Sequence, residues 1–181
     1  MGLPLPRHPD STYADYVQWE GRWELIHGEA YAMTPGPSLE HQRLSMRLES
    51  AIEDGLEATK KKAGGGECEM FHAPLDVILA EDTVVQPDIV VVCDPAKKTP
   101  RGIEGAPDLV VEILSPSTAQ RDLKDKRWLY EAHGVAEYLI VDPEDGSGEL
   151  WRLQEGRYRE PLRVAKGDVV KLLGGGLEIA W

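Results

Sequence analysis

The chain contains no apolar run near the roughly 20 residues that a helix needs to cross a bilayer. No membrane partner is expected. Its start, MGLPLPRHPDSTYADY, has no basic stretch followed by an apolar core, so no secretory signal is read there. The sixth position also lacks the Ser or Thr of a myristoylation signal. Cysteine is nearly absent: Cys68 and Cys93 stand far apart and form no metal-ligand pattern. They read as ordinary reduced side chains of a cytoplasmic protein. Cationic charge is scarce, with 20 Lys and Arg against 32 Asp and Glu and a net charge of -12. That excludes non-specific attraction to nucleic acid through bulk charge. A local basic groove and an acidic site that gathers divalent cations both remain open.

What is present suits a folded α/β protein. The 181 residues suffice for one domain with a sizeable core, and residues 1–181 are read as one. Thirteen prolines and eighteen glycines point to many turns rather than long bundled helices. HPDSTYADYVQWEG reads as a short helix capped by Asp10 or Ser11 and ended by Gly21. RWELIHGEAYAMTPGP alternates around a His-Gly turn, the pattern of a hairpin. Ser38 caps a long helix reaching about Lys62, with Leu44, Leu48, Ile52 and Leu56 as its apolar stripe. The KKKAGGGE that follows reads as its stop. IVVV and LVVEIL lack polar alternation, so they are expected as central strands covered on both faces. STAQRDLKDKRWLYEAHG reads as a helix opened by a Ser117–Gln120 capping box and closed by Gly134. The tail from about Gly146 is a run of short strands. The expected architecture is a mixed central sheet flanked by helices, with added antiparallel strands.

One stretch is at odds with a plain core. In PDLVVEIL, alternation puts Asp108, Val110, Glu112 and Leu114 on one face of a strand that otherwise reads as buried. A buried glutamate needs a partner. Asp88 lies beside the neighbouring apolar strand, and sheet pairing would bring it to Glu112. Two carboxylates at one point repel, and a hard divalent cation such as Mg²⁺ or Mn²⁺ resolves that conflict. On the following helix, Lys126 falls on the inward arc between Leu129 and Tyr130, whereas Lys124 falls on the polar side near Glu131. An inward lysine needs a carboxylate; the alternative is that its head snorkels to water.

These residues carry a family resemblance. QPDIVVV, APDLVVEILSPSTAQRDLKDKRWLYEAHGVAEYLIVDP and WELIHGEAYAMTPGPSLEHQRLSMRL resemble the Uma-two family of restriction endonucleases, within the PD-(D/E)XK nuclease superfamily. The resemblance implies a restriction-endonuclease-like core and divalent-metal hydrolysis of a phosphodiester. It implies Asp88 and Glu112 as acidic ligands and the main-chain carbonyl of Ile113 as a further one. The superfamily places a lysine two residues after the second acid; here that position is Leu114. Lys126 is the matching cation, moved onto the next helix. Its implied role is to orient the attacking water and offset phosphate charge.

Secondary candidates complete the set. Glu24 and Glu29 match acidic positions of the family, and Glu24 is weighed as a supporting ligand against a surface charge of the hairpin. His41 is weighed as a phosphate or substrate contact against capping or packing. Asp108 is a weaker metal candidate, because a strand-start aspartate commonly bonds local backbone. Lys124 is a second cationic candidate, and Tyr130 reads as core. The expected function is a Mg²⁺- or Mn²⁺-dependent, homodimeric DNA endonuclease. Two alternatives stay open: a non-catalytic module that keeps the nuclease fold, and a hydrolase of RNA or another phosphate ester.

Overall fold

A computed structural model describes residues 10–33, 36–63, 68–115 and 122–181. The Ser117–Gln120 capping box and most of the AGGGE helix stop lie outside the described residues. The first helix, α1 (Tyr13–Tyr16), is shorter than the sequence suggests. Asp15 Oδ2 accepts from both the backbone N–H and the hydroxyl of Thr12, 2.8 and 2.9 Å away. Thr12 therefore caps it, not Asp10 or Ser11, and the helix ends well before Gly21.

Strands β1 (Trp23–Ile26) and β2 (Glu29–Ala32) form the expected hairpin. His27 and Gly28 take φ of 51° and 78° at its turn, the left-handed pair that matches the strand twist. Ser38 Oγ accepts from the backbone N–H of His41, 3.2 Å away, and α2 (Leu39–Ala63) follows. The apolar stripe of α2 is confirmed, with Leu48, Ile52 and Leu56 buried and Leu44 partly so. Each fully buried side chain of this size contributes roughly 1.5–3 kcal/mol.

The stretch 69–80 forms two strands, β3 (Glu69–His72) and β4 (Val77–Ala80). They belong to different sheets, and a cis Ala73–Pro74 bond lies between them. Strands β5 (Thr83–Val85) and β6 (Ile89–Val92) divide TVVQPDIVVV in the same way. Next come β7 (Lys98–Thr99), β8 (Gly102–Glu104) and β9 (Leu109–Ile113). A wide helical turn, Asp122–Lys126, leads into α3 (Arg127–His133). Gly134 closes α3 in the left-handed conformation, φ 83°, as its sequence position suggests. The remaining strands are β10 (Glu137–Val141), β11 (Gly148–Gln154), β12 (Arg157–Tyr158), β13 (Leu162–Val164), β14 (Val169–Leu172) and β15 (Leu177–Ala180).

The central sheet runs β12-β11-β10-β9-β6-β3, with β13 on β11. It is mixed: β9 and β10 are parallel, whereas β6 and β9 are antiparallel. Both faces are covered, as the unbroken apolar runs suggest. Leu109, Val111 and Ile113 of β9 pack with α2 and the β14–β15 hairpin. Val110 packs on the other side with Leu129 and Tyr130 of α3 and with Val77, Val85 and Ile103 of the second sheet, β2-β1-β5-β4-β8-β7. No helix among the described residues is long and apolar enough to cross a membrane.

The reduced-thiol expectation is overturned: Cys68 and Cys93 form a disulfide. The register Glu69↔Val92 of β3 and β6 places the two cysteines opposite each other one step further along. Their separation in sequence hid an antiparallel pairing.

Candidate active site

Glu112 sits in β9 with its side chain on the α3 side of the central sheet. It is 4% exposed, so its charge demands compensation. Lys126 supplies it, with Nζ 2.7 Å from Glu112 Oε1. Lys126 is 2% exposed, so it does not snorkel. Its Nζ also lies 2.8 Å from Glu24 Oε1. Glu24 is wholly buried in β1, which overturns its reading as a surface charge of the hairpin. The backbone N–H of Gln86 donates to the same Glu24 oxygen at 3.1 Å. Three elements distant in sequence, β1, β9 and the turn entering α3, thus converge on one ammonium.

Tyr130 was expected as core only. It is fully buried, but its hydroxyl donates to Glu112 Oε1 at 2.8 Å. Burial, then the nearby Glu112 charge, push its phenol well above the usual range. It is therefore a permanent donor. The one signal in sequence is its spacing: Tyr130 follows Lys126 by one helical turn, so both reach the same side.

Asp88 enters from the segment before β6. The β6–β9 register, Ile89↔Val111, places it next to Glu112 when extended by one step. Its Oδ2 accepts from the backbone N–H of Ile113 at 2.8 Å and lies 3.2 Å from His41 Nε2. His41 is 6% exposed, at the start of α2. Its side chain reaches Asp88 rather than serving only to cap or pack.

The structure therefore gathers Glu24, Glu112, Lys126 and Tyr130 in one buried cluster, and joins Asp88 to His41 and to the N–H of Ile113, the residue after Glu112. It does not bring in the others. Asp108 accepts from the backbone N–H of Cys93 at 2.7 Å, a bond across to the end of β6 rather than to its own local backbone. Glu29 is exposed and accepts from the Tyr31 hydroxyl. Lys124 is exposed, as its polar-side position predicts. Leu114 packs with the apolar residues on the α3 side.

Among the described residues, no three His, Cys, Asp or Glu side chains are grouped to hold a metal ion. A hard cation here would rest on Asp88, Glu112 and the Ile113 carbonyl, with water completing its shell. That sparse, all-oxygen set suits Mg²⁺, which keeps several waters.

The profile of the Uma2 (Uma-two) family, described as "Putative restriction endonuclease", matches residues 13–181. The chain belongs to the Uma2 family. This Uma2 chain is 31% identical over 184 residues to the uncharacterized protein slr1290 of Synechocystis sp., a match covering 98% of this chain and 92% of that one. A crystal structure described as a "putative nuclease belonging to DUF820" from Anabaena variabilis ATCC 29413 has a TM-score of 0.72 to it. That match covers 94% of each chain at 19% identity, so it speaks to the fold. Uma2 membership places the chain in a family described as "Putative restriction endonuclease".

Proposed function

We propose that the chain is a divalent-metal-dependent endonuclease that hydrolyses phosphodiester bonds of DNA. The observation that carries this reading is the position of Lys126. Although the superfamily lysine position holds Leu114, a lysine from the next helix still ends 2.7 Å from the second acid.

In this reading Asp88, Glu112 and the Ile113 carbonyl hold Mg²⁺ or Mn²⁺. When bound, the cation lowers the pKa of water and offsets charge on the phosphoryl oxygens. Glu24 and Tyr130 hold Lys126 and Glu112 in place, so neither has to reorganise when substrate arrives. Lys126 orients the attacking water and balances charge that develops on the phosphate. His41 and the Ile113 N–H fix the rotamer of Asp88. Two copies acting as a homodimer suit a double-strand cut.

The test is cleavage of supercoiled plasmid by the purified protein. Nicking or cutting is expected with Mg²⁺ or Mn²⁺ and not with chelator. Glu112→Gln and Asp88→Asn are each expected to lower the rate at least ~100-fold. Cleavage that survives both substitutions and chelator sinks the assignment. Calorimetry separates the rival reading: a non-catalytic module shows no divalent-ion binding and no change on Asp88→Asn.

A further inference from the structure

Close in sequence to the buried Glu24 stands an arginine that, among the described residues, forms no ion pair. Arg22 is exposed, two residues before Glu24. Its Nε and Nη2 donate to Gln86 Oε1 at 3.3 and 3.2 Å. An amide orients a guanidinium without cancelling its charge. Arg101, Arg152 and Arg157, by contrast, each face a carboxylate.

The orientation of Gln86 is set from behind. Its Nε2 donates to Asp76 Oδ1 at 2.8 Å, and the Tyr16 hydroxyl donates to the same oxygen at 2.7 Å. An ionised carboxylate only accepts, so the amide nitrogen must face Asp76 and the amide oxygen must face Arg22. The backbone N–H of Gln86 meanwhile binds Glu24 Oε1. Gln86 thus ties Arg22 to the same carboxylate that holds Lys126. It also stands two residues before Asp88. A guanidinium has five N–H donors, and this contact uses only two. The rest remain available to the paired oxygens of a phosphate.

We propose that Arg22, presented by Gln86, is a substrate-binding residue that takes a non-bridging phosphate oxygen of the nucleic-acid strand beside the reacting position. This rests on the phosphodiesterase reading of the cluster. It adds a contact outside the metal site, on the strand entering it. Arg22 acts on binding of the strand rather than on the water or the metal.

The test uses the full chain and a fluorescently labelled single-stranded or duplex oligodeoxynucleotide. Affinity is measured in Ca²⁺ over a range of salt, and cleavage in Mn²⁺. Arg22→Gln is expected to weaken binding and raise KM about 10-fold or more, with kcat changed much less. Its salt dependence should fall by about one phosphate contact. Arg22→Lys should recover part of the affinity but not the full effect, since it lacks the two-pronged geometry. Mn²⁺ affinity by calorimetry should match wild type, which a general folding defect would not allow. Wild-type KM and salt slope in Arg22→Gln overturn the proposal and leave the nuclease reading standing. A wild-type protein that neither binds nor cuts the strand in these ions overturns both.

Discussion

Lys126 Nζ stands 2.8 Å from Glu24 Oε1, and both side chains are buried. The same ammonium meets Glu112. It therefore separates two buried carboxylates as well as serving the proposed chemistry. Lys126→Met should remove the ammonium that stands between those acids. Removing one partner from a buried pair costs roughly 3–5 kcal/mol. Urea unfolding with chelator should show a loss of that order. Mn²⁺ should restore more stability to Lys126→Met than to wild type, because a cation replaces the missing charge. An unchanged urea midpoint would mean that the acids are neutral in the fold.

Tyr130→Phe separates the two roles of that residue. The ring stays in the core, and the donor to Glu112 is lost. The cost in stability should be about 1–2 kcal/mol. Mn²⁺ affinity should also move, because Glu112 is held less firmly. Unaltered Mn²⁺ binding by calorimetry returns Tyr130 to a purely packing role.

Much of this site was legible because a buried strand with an acid in it is physically expensive. That criterion alone does not identify a functional acid. Glu137 in β10 is equally buried, yet it is met by the backbone N–H groups of Leu173 and Gly174 and by Arg152. It is a structural acid that ties the tail to the central sheet. What set Glu112 apart was the inward lysine one helix later, whose periodicity is visible in sequence. Glu24 and Gln86 were not legible in this way. Their place in the cluster depends on the antiparallel pairing of β1 with β5, Leu25↔Val84, which no local pattern specifies. The disulfide was hidden for the same reason, and α1 was misplaced because three polar residues in a row could each have capped it.

Gly55 tests how tightly α2 is seated. It lies within the helix, where Ala is intrinsically better by about 1 kcal/mol. A Cβ built there collides with Leu177 Cδ1 and lies 3.2 Å from the Glu178 carbonyl oxygen. Leu177 is wholly buried and has little room to move. Overpacking of this kind costs roughly 1–3 kcal/mol. Gly55→Ala should therefore lower the urea midpoint despite its better propensity. A raised midpoint would show that β15 can retreat from α2.

The disulfide closes a loop spanning a sequence separation of 25 residues. On loop-closure entropy that contributes roughly 3 kcal/mol. Unfolded but unreduced protein should resist alkylation at both cysteines, and mass spectrometry reads this directly. Paired Cys68→Ser and Cys93→Ser changes should lower stability by that order under oxidising conditions. They should make no comparable difference once wild type is reduced. Ready alkylation of the unreduced protein would contradict the bond.

Glu131 predicts an acid-side signature. Its carboxylate accepts from the backbone N–H of Tyr158 at 2.6 Å and from Arg157 at 3.0 Å, joining α3 to β12. The Tyr158 N–H chiefly, with Arg157 assisting, holds its pKa below the usual 4.5. A depressed carboxylate pKa stabilises the fold above the unfolded-state value, and the gain is lost as pH falls through the folded value. Wild type should therefore exceed Glu131→Gln by a constant margin from neutral pH down to about 5.5. Below about 4.5 the margin should shrink as the wild-type carboxyl takes up its proton. Chemical denaturation of both proteins at each pH measures it. A margin that stays flat into acid would assign the contact to shape rather than charge.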